Sequence, residues 1–268
     1  MGDAPARMRA PSRLPSISPI SFTLLVAFAA VFLVSLGQVA PSPERLAAGA
    51  PQMVELIGRM LPPNLEPTFL QRMGWRILET LQIALVGTVI GVVISLPIGW
   101  LAARGISPLA AFRQLPRGII SLFRTIPDLV WALVFVSTVG LGAIAGTMTI
   151  VVDTIGFCGR FFAEAMEEAD KKPQEALRAI GASRVSILFG ATLPSIMPTL
   201  INSSLFALEK GVRSSVVLGL VGAGGIGQEL KVASDLFQYR NASAIILAIF
   251  AIVLVMEYFT DRLRARFE

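Results

Sequence analysis

An all-α membrane protein with six transmembrane helices and one further helix outside the bilayer is the fold class this sequence predicts. Three observations predict it. Apolar residues arrive in blocks of twenty or so, the length that crosses about 30 Å of hydrocarbon as a helix. The chain is 54% hydrophobic and only 15% charged, with mean hydropathy +0.71, too little charge to cover a soluble domain of 268 residues. Lys and Arg concentrate in the N-terminal tail, the 104–117 loop, a polar insert and the C-terminal tail, which the positive-inside rule assigns to the cytoplasm. Short alternating segments of the barrel type are absent from the sequence, so the backbone satisfies its amides as helices.

Each element follows in order. Residues 1–20 form a Pro-, Ala- and Arg-rich cytoplasmic tail expected to be disordered. The first span is 21–40. Arg7, Arg9 and Arg13 precede it, as in a signal peptide, but the block is long and lacks a small-x-small site around Gln38–Ala40. An uncleaved span is expected. Residues 41–76 make a periplasmic loop in which Met53, Leu56, Ile57, Met60 and Leu61 fall at helical spacing, predicting an interfacial helix. Residues 77–262 hold five more spans, at 77–103, 118–139, 143–162, 194–221 and 242–260, interrupted by a cytoplasmic insert at 163–194. Residues 263–268 are a cytoplasmic tail. Even span number puts both termini on one side, and the basic segments make that side cytoplasmic.

Composition excludes several chemistries. There is no histidine, and the single cysteine, Cys158, lies inside an apolar block. A disulfide framework, a Ser–His or Cys–His pair and a His-rich metal site are therefore excluded. The net charge of +5 and pI near 10 have a cause in basic cytoplasmic loops, so no nucleic-acid partner is expected. No G-x-x-x-x-G-K-[ST] occurs, so no nucleotide is cradled by that route. Gly222-Ala223-Gly224-Gly225-Ile226-Gly227 satisfies G-x-G-x-x-G, but it follows a span rather than a strand, and the dinucleotide reading fails on that context. Two alternatives remain for Gly222, Gly224, Gly225 and Gly227: a sharp bend or gate at the outer end of a span, or a flexible periplasmic connector.

Ionisable residues inside spans are costly and are either structural or functional. Arg124 and Asp128 stand at i and i+4 on the third span, with Pro127 between them as a kink. Glu209 and Arg213 repeat the spacing near the middle of the fifth span, beside Lys210. Asn202, Ser203, Ser204, Ser214 and Ser215 make one face of that helix polar enough to line a water-filled path. Both pairs either hold spans in register or offer a guanidinium to an anionic solute. Gly87, Gly91 and Ser95 form a small-residue face for close packing, within the subunit or across a dimer.

The insert is the most informative stretch. Asp170 and Pro173 suit a helix start and Gly181 a left-handed stop, which predicts about two turns of helix outside the membrane. A helix that short is marginal alone, so it should dock on something. Glu175-Ala176-Leu177, then Gly181, then Ala191-Thr192-Leu193-Pro194 resembles the cytoplasmic EAA loop of ABC importer permeases. The family has a second Ala at Leu177 and Ile at Ala191. Glu79-Thr80-Leu81 through Gly87-Thr88, Arg124-Thr125-Ile126-Pro127-Asp128, Trp131-Ala132-Leu133, Val139-Gly140-Leu141-Gly142, Ala145-Gly146 and Val212-Arg213 through Gly227 are similar to its phosphonate-type branch. The resemblance covers about two thirds of the chain, from Glu79 onward.

The resemblance implies a type I importer permease fold and a non-catalytic subunit. Glu175, Ala176, Leu177, Gly181, Leu193 and Pro194 would then couple it to an ATPase. It implies two ATPase subunits that carry ATP and Mg, a second permease subunit as a homodimer, and a periplasmic or lipid-anchored solute-binding protein. This chain itself would bind no cofactor and no metal, and its cargo would be a phosphonate or a phosphite- or phosphate-like anion. Three rivals compete. A permease for methionine or a quaternary amine would keep the mechanism and change the cargo. A gradient-driven secondary transporter would use Asp153 or Glu257 and leave the docking helix unexplained. An intramembrane hydrolase lacks its usual base.

Overall fold

A computed structural model describes residues 18–40, 42–108 and 110–266. The expected disorder of the first residues lies outside that range, as does the end of the C-terminal tail. The chain divides into two compact units, Met1–Leu56 and Ile57–Glu268.

In the first unit, α1 runs Pro19–Val39. Pro19 occupies the first turn, where no amide donor is needed. The helix is apolar on all sides and none of its residues is buried, the pattern of a span surrounded by lipid. Helix α2, Pro43–Met60, starts in this unit and ends in the second. It is amphipathic, with Glu44 in its first turn and Arg59 in its last, both matched to the helix dipole.

The second unit is a helical bundle. Its long members are α3, Pro67–Ala102; α6, Ala143–Glu168; α9, Leu193–Gly219; and α11, Tyr239–Arg264. Shorter ones are α4, Gln114–Thr125; α5, Asp128–Val139; α7, Lys171–Ala179; α8, Arg184–Ile187; and α10, Ile226–Asp235. Among the described residues, five helical stretches are long and apolar enough to cross a membrane, and six when the bent α4–α5 pair is one span.

The bundle is centred on α3 against α6. The small face at Gly87, Gly91 and Ser95 serves this contact. A Cβ on Gly91 would stand 2.5 Å from Thr154 Cβ, and one on Gly87 2.8 Å from Ile150. Ser95 is fully buried, and its hydroxyl donates to the Gly91 carbonyl at 2.7 Å. The close approach lets Ile150, Phe162, Val212 and Leu218 fill the interior almost without exposure.

Three spans differ most from the sequence expectation. The second begins ten residues earlier, at Pro67, as one continuous 36-residue helix. The fifth begins at Arg184: α8, a π-helical turn over Leu188–Thr192 and α9 make one 36-residue stretch. A proline ring clashes with the carbonyl four residues back, and the widened turn directly before Pro194 makes room for it. The third span is not a kinked helix. Helices α4 and α5 meet at 92°. Pro127 drives Ile126 to extended backbone, φ −81° and ψ 122°, which ends α4. Asp128 then opens α5, its carboxylate accepting the Leu129 amide at 2.9 Å.

Candidate functional site: the external helix and the charged residues of the bundle

Helix α6 runs through the start of the expected insert to Glu168, so the segment outside the bundle begins at Ala169. Asp170 caps α7 by accepting the Lys172 amide at 3.0 Å. Gln174 is buried and turns its amide back to the Asp170 carbonyl, at 3.2 Å. At the other end Gly181 takes φ +81°, and the Ala182 amide closes on the Leu177 carbonyl at 3.0 Å. Start, stop and length match the expectation.

Within α7, Glu175 and Ala176 face solvent, while Leu177 is half-buried and reaches towards Gly190. Ile180, directly after α7, is an apolar side chain left 80% exposed among the described residues. Leu193 packs against the core cluster around Phe162 and Met166, and Pro194 is exposed at the start of α9. The matched residues thus divide between an exposed helix and the root of the next span.

Sequence reasoning missed what braces this helix. Arg184 donates to the Ser107 and Pro108 carbonyls at 2.9 and 3.0 Å. Glu167 accepts the Arg104 amide at 2.8 Å and pairs with the Arg117 guanidinium. The loop after α3 is thereby tied to the segments on both sides of α7. These partners are 50 or more positions apart in the chain, so no local spacing reveals them.

The expected pathway residues do not gather in one place. Arg124 closes α4 and Asp128 opens α5, and the 92° bend leaves no ion pair between them. Glu209 and Arg213 do pair, at 3.0 Å. Arg264 joins them, reaching Glu209 at 3.0 Å from the end of α11. The cluster therefore joins the middle of α9 to the last turn of α11. Glu209 is 12% exposed and holds two guanidiniums, whereas Arg213 is 56% exposed. Beside them Lys210 pairs with Asp153 of α6 at 2.7 Å, a bridge the sequence left unpaired. Asn202 keeps a buried side-chain oxygen without a partner.

The glycine-rich turn lies at the far end of α9. Gly222, Gly224 and Gly225 all have φ between 73° and 91°, which L side chains avoid. A Cβ on Gly227 would fall 1.9 Å from the Val216 carbonyl oxygen. The Gly142 amide donates to the Gly222 carbonyl at 2.9 Å, and the Ile226 amide to Thr80 Oγ1 at 2.8 Å. Ala223 and Ile226 are buried. The turn is a packed bend tied to α3 and α6, which overturns the flexible-connector alternative.

Residues 95–268 match the family of binding-protein-dependent transport system inner membrane components. The chain belongs to that family. It is 39% identical over 213 residues to the phosphate-import permease protein PhnE of Mycolicibacterium smegmatis, covering 80% of this chain and 40% of that one. It is 36% identical over 228 residues to the phosphite transport system permease protein PtxC of Stutzerimonas stutzeri, covering 83% and 80%. Thus the chain spans two fifths of the first relative and four fifths of the second. The fold matches an inward-facing structure of the MetNI methionine ABC transporter with TM-score 0.66 and 26% identity, over 76% of this chain and all of that one. The permease fold expected from the EAA-like loop is the observed one, and membership makes this chain a transport component of the inner membrane. Asp153, a proton-carrier candidate for the rival secondary transporter, is held in an ion pair instead.

Proposed function

We propose that this chain is the permease half of an ABC importer for a phosphonate or a phosphite- or phosphate-like anion, driven by ATPase subunits that dock on α7. The observation that carries the coupling role is α7 itself: nine residues, capped at both ends, hung between two spans, with Glu175 and the 80%-exposed Ile180 turned outward. So short a helix is marginal on its own, and its outward-turned residues suit a partner that seats on it. The family's dependence on a binding protein supports delivery of cargo by a soluble or lipid-anchored solute-binding protein. A cytoplasmic α7 follows from the positive-inside rule and sets both termini on the same side. One chain supplies half of a two-fold pathway, which supports pairing with a second, identical permease. ATP and Mg belong to the ATPase subunits.

The cargo rests on the comparisons. The phosphate and phosphite permeases are 39% and 36% identical, against 26% for the methionine transporter. Uptake into cells expressing the permease with its ATPase and binding protein tests it. Phosphonate, phosphite or phosphate should accumulate, and methionine and betaine should neither accumulate nor compete. Accumulation of methionine or betaine instead would keep the permease and discard the anionic cargo.

A further inference from the structure

A cavity of about 650 Å³ opens between the end of α3, the inner face of α4 and the last turns of α6. Arg104, Arg117, Arg124, Arg160, Glu164 and Glu167 line it. Helical spacing explains the convergence. Arg117 and Arg124 are two turns apart on one face of α4, and Arg160, Glu164 and Glu167 share one face of α6. Arg104 follows directly on the buried Ala102–Ala103 end of α3.

The charges do not balance. Glu167 takes Arg117, and Glu164 takes Arg160 at 2.6 Å. The guanidiniums of Arg104 and Arg124 have no carboxylate partner among the described residues; Glu167 takes only the Arg104 backbone amide. Asp128, four positions on, would neutralise Arg124 in a continuous helix, and the bend at Pro127 carries it away. Two positive charges are left over, facing one cavity. We propose that this cavity binds a phosphate-type oxyanion between Arg104 and Arg124, with the two ion-paired arginines fixing its walls.

Guanidinium suits such an anion because its planar fork gives parallel hydrogen bonds to two oxygens of a tetrahedral group. The volume is that of a small-molecule site. Two sources share the chemistry: the phosphate headgroup of an anionic lipid, since basic pockets between spans hold such groups, or a free phosphate or phosphonate. The free-anion source rests on the cargo class proposed above; the lipid source does not. Arg104 and Glu167 also line a smaller crevice that reaches Lys171 and Glu175, so an occupant would lie next to α7.

The test uses the full chain, in nanodiscs or in detergent, and needs neither ATPase nor transport, so it can fail while the permease reading stands. In phosphatidylcholine discs, inorganic phosphate and methylphosphonate are titrated with thermal unfolding as readout. In a second arm, detergent-extracted chain is offered mixed phosphatidylcholine and phosphatidylglycerol, and retained lipid is measured by native mass spectrometry. A phosphate-dependent rise in Tm, with affinity reduced about tenfold in Arg104→Gln/Arg124→Gln, establishes the free-anion source; a tenfold change corresponds to about 1.4 kcal/mol. Selective retention of phosphatidylglycerol, lost in the same variant, establishes the lipid source. Arg262→Gln, which removes a positive charge elsewhere, should change neither. Arg104→Lys/Arg124→Lys keeps the charge without the fork and should bind more weakly than the wild type while folding normally. Absence of both responses in the wild type, or equal responses in wild type and double Gln variant, overturns the site.

Discussion

Gly91 and Asp153 mark two ways in which single residues hold this bundle. At Gly91 the determinant is the absence of a side chain, with Thr154 Cβ only 2.5 Å from where a Cβ would stand. Gly91→Leu should destabilise by about 1–3 kcal/mol or prevent assembly, whereas Gly74→Leu, with nothing within 4 Å, should leave Tm unchanged. Equal Tm for both variants would mean that α3 and α6 tolerate separation. At Asp153 the determinant is charge. Removing one partner of a shielded ion pair strands the other, while removing both need not. Asp153→Ala should therefore lower Tm more than Asp153→Ala/Lys210→Met does, and a double-variant cycle reads the coupling. Additive losses would show that the 2.7 Å bridge contributes nothing. The sequence revealed residue pairs only where they are local: Glu209–Arg213 was legible as i, i+4, but Arg264 on Glu209 and Lys210 on Asp153 join different helices and leave no periodic trace.

Helix by helix, hydropathy located the spans but misjudged their ends. An apolar block measures the bilayer, and helices α3, α6 and α9 continue beyond it because intrahelical hydrogen bonds are as good in water-facing turns as in lipid-facing ones. Polar segments such as α10 went unrecognised for the same reason. Pro127 was read as a kink because proline in a span often only bends it; the extended Ile126 and the new start at Asp128 turn the bend into a break. By contrast α7 was legible in full, since Asp170, Pro173 and Gly181 state its limits through backbone chemistry. Its stability should depend on that chemistry. Asp170→Ala removes the cap and should cost about 1 kcal/mol locally, seen as faster amide hydrogen exchange across α7 with α3 and α6 unchanged. Unchanged exchange in α7 would mean that the braces through Arg184 and Glu167, not the cap, hold it.

For the whole molecule, family membership and fold agree on a transport component of the inner membrane. The packed Gly222–Gly227 bend at one end of the bundle and α7 at the other are joined through α9 and α6, so a shift at α7 has rigid elements along which to travel. The outward faces of α5 and α9, with Leu133, Val134 and Phe206 exposed, leave apolar surface for lipid or for a second permease. Native mass spectrometry of the chain released from nanodiscs should give a two-permease species; a strictly monomeric assembly with the ATPase would contradict the two-fold pathway.

The coupling role of α7 is the central claim, and ATP hydrolysis by the reconstituted assembly tests it most directly. With the binding protein and a phosphonate present, the wild type should hydrolyse ATP faster than without cargo. Glu175→Ala should weaken that stimulation. Gly181→Pro should abolish it, since φ +81° is closed to proline, and both variants should still insert and pair. Full stimulation in both variants would contradict the account.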